Sequence, residues 1–361
     1  MILGKRYQDD SEPTLVLTET QLKNKLAFES RVRAGEYPTE QVPCVLCGSG
    51  NFEPLSEKDR YGFHAVVVIC RGCGLVQTNP RMTQDSYAKF YADEYRGIYD
   101  PTPGKTDLFF ESQKKHAKEI HDSILKHSSI ELTNRMIVEI GAGAGGVLKY
   151  FADLGHPTFG VDLDPACVKF ANENGVEVQV GTLDRVIQHQ KRPGLVIYCH
   201  VFEHLLDPVA ELIRLRGILA EDGIVYIEVP GIRFIPSSYG MDFLGYLQNA
   251  HTCHFTLRTL SHCAKKAGFD LIYGDEKICA ILAPSKPAAA MVPPPGPPAA
   301  SPAPDAALEN DYDATLRFLL ELERRRNSPL HLLPRQLFSR LRRLKAGLIS
   351  ALRPRPPPAR N

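Results

Sequence analysis

Met136-Ile-Val-Glu-Ile-Gly141-Ala-Gly143-Ala-Gly145-Gly146 is the stretch around which this chain is organised. Its first half is a short, β-branched apolar run of the kind that is buried on both faces of a sheet. Its second half is a glycine turn that opens into the periodic apolar positions Val147, Leu148, Tyr150, Phe151 and Leu154. The reading is strand, tight turn, helix. Glycines let the backbone lie close to a ligand, and the amides of the first helical turn point to the same place. A nucleotide-like cofactor is the expected occupant.

Downstream the pattern alternates regularly. Strands are expected at 158–162, 176–180, 195–199 and 224–229, with helices at 165–174, 182–189, 208–220 and 257–267. Upstream, an amphipathic helix is expected over 107–127 and another around 19–34. Strands separated by helices of this length build an α/β parallel sheet with right-handed crossovers and helices on both faces. Ligands sit at the carboxyl ends of such strands, which here carry Glu139, Asp162, Gly181-Thr182-Leu183-Asp184, His200 and Glu228-Val229-Pro230.

Ahead of this unit stand Cys44-Val-Leu-Cys47-Gly and Cys70-Arg-Gly-Cys73-Gly. Two C-x-x-C knuckles, each followed by glycine, let four thiolates surround zinc tetrahedrally. With Cys44, Cys47, Cys70 and Cys73 as ligands, no coordination position stays open, so the metal is expected to be structural. Its binding energy, on the order of 10 kcal/mol in isolated fingers, would fold a module too small for its own core. A ribbon that grips nucleic acid needs a basic face, but Lys58, Arg60 and Arg71 are interleaved with Glu53, Glu57 and Asp59. Nucleic acid is not an expected partner.

Composition is that of an ordinary globular protein: 361 residues, 43% hydrophobic and 24% charged, with a net charge of +1. The near-neutral charge argues against general polyanion binding. No apolar run approaches the roughly 18 residues of a membrane span, and Met1 to Asp10 lack a signal-peptide core. Nine cysteines, an odd number, fit a reducing compartment, so a cytoplasmic location is expected.

The glycine stretch satisfies both G-x-G-x-x-G and G-x-G-x-G, and Glu139 separates them. A pyrophosphate over the turn would be repelled by that carboxylate, whereas S-adenosylmethionine carries a sulfonium and an ammonium. Glu139 to Gly145, Gly160-Val-Asp162, Gly181-Thr-Leu-Asp184, His200-Val-Phe-Glu-His204-Leu-Leu-Asp-Pro208, His254-Phe-Thr and Ala267-Gly-Phe269 together resemble the successive motifs of class I S-adenosylmethionine-dependent methyltransferases. The cysteine module, Asn79-Pro-Arg-Met and Phe90-Tyr-Ala-Asp-Glu-Tyr95 resemble the bacterial subgroup with an N-terminal zinc-binding domain, associated with sugar and surface-polysaccharide methylation. The resemblance covers roughly residues 42 to 283. It implies a Rossmann-like sheet in which Gly141, Ala142, Gly143 and Gly145 hold the methionine part of the cofactor. It further implies Glu139 near the ammonium, Asp162 on the ribose hydroxyls, Leu163 against adenine, Thr182 and Leu183 at the adenine edge, and His200 and Val201 at the sulfonium end.

A sugar, linked to a nucleotide or a lipid, is the implied acceptor. Methyl transfer to a hydroxyl or carbon acid needs a base, and His251 and His254 in Asn249-Ala-His-Thr-Cys-His-Phe-Thr256 are the candidates. Related carbon methyltransferases show a Glu-His pair where this chain has Ala250-His251, so O-methylation is at least as well supported. In the tyrosine-rich stretch 80–104, Tyr95 or Tyr99 is expected to close over the methyl group. His200-Val-Phe-Glu-His204 also spells H-x-x-E-H, but it straddles a strand end and shows no third ligand in the sequence. Two other readings compete: an NAD-dependent sugar oxidoreductase, and a zinc-ribbon nucleic-acid methyltransferase.

The sequence divides into an extension (1–40), the zinc-ribbon module (41–80), a connector and lid helix (81–130), the cofactor-binding domain (131–283), a Pro/Ala-rich disordered linker (284–307) and a basic helical tail (308–361). The tail reads as a helix at 311–326, then Leu337, Leu341, Leu344, Leu348 and Leu352 on one stripe among arginines. Such a basic amphipathic helix predicts peripheral contact with an anionic membrane face.

Overall fold

The computed structural model describes residues 2–99, 106–189, 191–286 and 309–328. Its main sheet has seven strands in the order Phe269–Gly274, Cys279–Pro284, Ile224–Glu228, Leu195–Cys199, Ile137–Ile140, Thr158–Asp162, Val178–Val180. Only Cys279–Pro284 runs against its neighbours. The other central pairs are parallel, with Glu139 opposite Gly160 on one side and Ile197 on the other. All four residues of Ile137–Ile140 are buried, as a β-branched strand covered by helices on both faces must be. The chain reverses direction through the sheet between Ile137–Ile140 and Leu195–Cys199, the switch point where an open α/β sheet leaves a crevice.

Local chemistry sets the helix starts. Asp164 and Asp207 cap Pro165–Glu173 and Pro208–Ile218, each accepting backbone amides while a proline takes the first helical position. Gly160 lets the helix Gly146–Asp153 pack closely: a Cβ there would stand 2.6 Å from Cδ1 of Leu148. Several elements are shorter than their sequence patterns predict. Strand 176–180 reduces to Val178–Val180 and helix 182–189 to Leu183–Ile187. The strands Phe269–Gly274 and Cys279–Pro284 had no expectation attached to them.

The cysteine module is an antiparallel sheet, and one of its strands comes from far downstream. Its order is Cys253–His254, Val76–Thr78, His64–Cys70, Phe52–Lys58. Cys253 pairs with Gln77 and His254 with Val76. Cys44, Leu46, Cys70, Cys73 and Leu75 fall in one continuous core cluster with Val138, Val196, Val225, Phe255 and Leu260. Lys266 also donates to the Leu46 carbonyl at 2.6 Å. The module therefore borrows a core as well as a strand, so apolar burial adds to whatever a metal contributes.

The first residues of the chain and a late helix pack together on one side. Tyr7 is fully buried and donates its hydroxyl to Glu323 at 2.7 Å. Glu323 belongs to the helix Tyr312–Arg326, whose Leu319 and Leu322 are buried with Tyr7, Phe243 and Tyr246. The Asp311 amide donates to the Cys73 carbonyl at 3.2 Å, which places this helix against the second cysteine knuckle. The leucine stripe at 337–352 and the Pro/Ala segment lie outside the described residues, apart from 284–286 of the latter. No described helix is long and apolar enough to cross a membrane.

Candidate active site and cysteine centre

Gly141, Gly143 and Gly145 have φ of 73°, 55° and 84°, in the left-handed region that glycine enters without strain. The amides of Gly141 and Ala142 both donate to the Val161 carbonyl, at 2.8 and 3.0 Å. The Gly143 amide donates to Oδ2 of Asp162 at 2.7 Å, and the Asp164 amide to its Oδ1 at 2.8 Å. Asp162 is thereby fixed at the strand end, with burial raising its pKa. Gln113, on the helix Thr106–His127, donates to the Ala142 carbonyl at 3.1 Å and accepts the Gly146 amide at 3.2 Å. That brace is sequence-silent: nothing in an amphipathic helix marks one glutamine as the contact.

Glu139 is buried below this turn, and its Oε2 has no partner. Burial first, and then the Asp162 charge, push its pKa well above the carboxylate range. An unpartnered buried acceptor under a glycine cradle fits a ligand that brings a donor, and S-adenosylmethionine brings an ammonium. Leu163 is half-exposed beside Asp162. The Thr182 hydroxyl donates to Asp184 at 3.2 Å. Leu183 is fully buried in the core, so its side chain offers a cofactor little surface and its backbone is what remains available.

At the ends of the next two strands, His200 sits at φ 55° and Val201 leans on Gly141. The Nδ1 of His200 is 3.7 Å from Glu203 and its Nε2 is 3.9 Å from Glu228. Burial would lower its pKa, but the two carboxylates raise it. Glu228 accepts from Tyr226 at 2.9 Å and contacts Nε2 of His116 at 2.9 Å and Lys277 at 3.5 Å. Burial opposes ionisation, yet His116 and Lys277 hold Glu228 down at about 2.

His251 and His254 are brought together with His204, a grouping the sequence did not assemble. The His204 and His251 ring centroids are 4.8 Å apart, and those of His251 and His254 are 5.8 Å apart. Both loop histidines are buried; Nδ1 of His251 and both nitrogens of His254 lack partners. Burial lowers the pKa of each, that of His254 to about 3. Tyr91 lies 2.8 Å from Nδ1 of His204, with Tyr95 beyond it at 6.5 Å between ring centroids. Tyr95 packs on Tyr99 at 4.8 Å, and burial raises its pKa to about 12. Tyr95 therefore borders the histidine cluster, and Tyr99 packs behind it.

The four cysteine sulfurs come together as their spacing predicts. Sγ of Cys44 and Cys73 are 3.5 Å apart, those of Cys47 and Cys70 are 3.4 Å apart, and all four fall within 4.8 Å of one another. A tetrahedral zinc with bonds of about 2.3 Å needs sulfur separations of roughly 3.8 Å, so the set fits that ion. The Gly72 amide points at Sγ of Cys70 at 3.3 Å. Gly48 and Gly74 end the two knuckles in left-handed geometry.

A parallel sheet with one reversed strand, a glycine turn at its switch point and an acidic residue on the next strand together define a class I methyltransferase domain. Residues 112–273 match the family model described as a methyltransferase domain. The protein is accordingly an S-adenosylmethionine-dependent methyltransferase. No curated protein matches the chain. Solved structures that resemble part of it include an S-adenosylmethionine-dependent methyltransferase from Clostridium acetobutylicum, with 11% identity, 48% of this chain and 92% of that chain covered, and a TM-score of 0.39. The methyltransferase CcbJ from Streptomyces caelestis gives 15% identity, coverage of 55% and 99%, and a TM-score of 0.40. CalS10, an amino pentose methyltransferase from Micromonospora echinaspora, gives 15%, coverage of 47% and 90%, and 0.36.

Proposed function

We propose that this methyltransferase acts on a hydroxyl of a small polar acceptor, a sugar carried on a nucleotide or a lipid. The observation that carries the reading is the group of buried imidazoles, His204, His251 and His254, walled by Tyr91 and Tyr95 at the end of Leu195–Cys199. Val201 joins that strand end to the glycine turn, so cofactor and acceptor subsites would adjoin. S-adenosylmethionine, when bound, supplies a methyl group on a sulfonium that is already an activated leaving group. The chain's own work is to hold and align. Glu139 and the glycine turn from Gly141 to Gly145 would receive the amino-acid part, Asp162 the ribose and Leu163 the adenine face. Alignment of this kind supplies roughly 7–11 kcal/mol. The unpartnered imidazole of His254, with His251 beside it, supplies a lone pair for the hydroxyl proton.

Two further parts belong to the proposal. Cys44, Cys47, Cys70 and Cys73 would hold a structural zinc. The basic segment 336–352 would bring the enzyme to an anionic membrane face from the cytoplasm, where a lipid-linked glycan is presented.

Calorimetric titration with S-adenosylhomocysteine, with NADH in a parallel cell, tests the cofactor. Methyl transfer to a panel of sugar nucleotides, read by mass spectrometry, tests the acceptor class. Micromolar binding of the first ligand with a mass gain of one methyl on a sugar supports the reading; binding of NADH alone sinks it.

A further inference from the structure

We propose that Glu203, His204 and His251 form a second metal site, separate from the cysteine centre, that takes a divalent first-row cation. Each offers one ligand atom, and these atoms lie within 4.8 Å of one another. Two imidazoles and one carboxylate on one side of an ion leave positions open for an exogenous oxygen, the arrangement of catalytic rather than structural sites.

The surroundings prepare the ligands. The Nδ1 of His204 is 2.9 Å from the Ala250 carbonyl. A carbonyl can only accept, so Nδ1 carries the hydrogen and Nε2 keeps its lone pair, the outer-sphere contact that orients metal-binding histidines. Oε2 of Glu203 and Nδ1 of His251 are both buried without a partner, on residues only 2% and 6% exposed. Leaving two such buried atoms unpaired is costly, and one cation between them answers both.

The three residues are also held as a unit. Glu203 and His204 lie on the short turn Phe202–His204, and the Thr252 amide donates to the Glu203 carbonyl at 2.9 Å. The Thr252 hydroxyl donates to the Leu205 carbonyl at 2.6 Å. These bonds lock the residue after His251 to the residues flanking His204, and the two rings stand at 87°. H-x-x-E-H does not act here as one helical motif. His200 stands between Glu203 and Glu228, 3.7 and 3.9 Å away, and the third ligand arrives from a loop about fifty residues on. By contrast, the His116, Cys199 and Glu228 group is already satisfied, because His116 and Tyr226 both bond the Glu228 carboxylate.

The role of the site, though not the binding itself, rests on the methyl-transfer reading. A cation here lowers the pKa of an acceptor hydroxyl it touches. The oxygen lone pair then forms the bond to the methyl carbon, the carbon–sulfur pair returns to sulfur, and the hydroxyl proton passes to His254.

The test counts metal in the full chain. Protein is dialysed against Zn2+ in one arm and Mn2+ in the other, then freed of loose ions and measured by mass spectrometry for elements. Thiolates select zinc over manganese, so bound manganese reports the second site alone. The expected result is two zinc per chain in the first arm, and one zinc plus one manganese in the second. Glu203→Gln and His251→Gln should each lose the second ion and retain one zinc, which also shows that they fold. A single ion per chain in both arms overturns the proposal and leaves the three side chains as a hydrogen-bonding cluster only. So does a second ion that survives Glu203→Gln. Binding of S-adenosylhomocysteine to the same samples separates a failed site from a failed methyltransferase reading.

Discussion

A Cβ on Gly141 would stand 2.2 Å from Cγ2 of Val201, so the glycine turn and the end of the neighbouring strand touch with no room for a methyl group. Because Gly141 also has φ of 73°, Gly141→Ala carries two costs, a left-handed non-glycine residue and an overpacked contact. Together they amount to roughly 2–5 kcal/mol. The expected outcome is a melting temperature lower by several degrees and affinity for S-adenosylhomocysteine reduced at least tenfold, read by calorimetry. Unchanged affinity would remove the turn from the cofactor site.

Asp162 holds two backbone amides and faces the crevice. Asp162→Asn keeps the shape but replaces a charged acceptor, which is worth about 1.5–3 kcal/mol in such bonds. S-adenosylhomocysteine should bind roughly ten- to a hundredfold more weakly while the zinc content is unchanged. A loss below threefold would place the ribose elsewhere.

Removing a thiolate should be felt in the loop that carries His251 and His254. Cys70→Ser is expected to abolish tight zinc binding, a process worth on the order of 10 kcal/mol in isolated fingers. Amide exchange should then quicken at Val76–Thr78 and across Cys253–His254, while Ile137–Ile140 stays protected. Uniform exchange throughout would mean that the module and the main sheet unfold together.

The His116–Glu228 pair predicts a pH dependence of stability. Glu228 is depressed to about 2, so its contribution is present above its ordinary value near 4.5 and is lost as pH falls toward 2. His116 is raised, chiefly by the bond to Glu228 against the opposing effect of burial. Its contribution is present below about 6.5 and fades as pH rises through the raised value. Stability from this pair should therefore peak in mildly acidic solution. His116→Gln should flatten the profile and cost at most about 3 kcal/mol at its maximum, measured by urea unfolding from pH 3 to pH 9. An unchanged profile would mean that the pair does not titrate as a unit.

The parallel core was legible because each of its strands is a short β-branched run between helix caps, and Leu195–Cys199 falls where its pattern places it. The glycine turn and the cysteine knuckles carry their chemistry in local spacing, so they too could be read. The pairing of Cys253–His254 with Val76–Thr78 could not: a two-residue strand has no periodicity, and its partner lies far away in sequence. The same holds for Gln113, His116 and the meeting of Glu203 with His251. Each is decided by which helix or loop packs against a strand end, a long-range outcome without a local mark. The outer strands Phe269–Gly274 and Cys279–Pro284 escaped notice because alternating and buried runs mix within them.

The borrowed strand changes what counts as a transplantable part. A chimera that fused this chain's residues 41–80 to another enzyme would leave Val76–Thr78 with an unpaired edge, an invitation to aggregation. This chain, deprived of the module, would in turn lose the partner that steadies the loop bearing its histidines. Any exchange of halves between such proteins must therefore carry Cys253–His254 along with the cysteines, as a single inheritance written in two distant places.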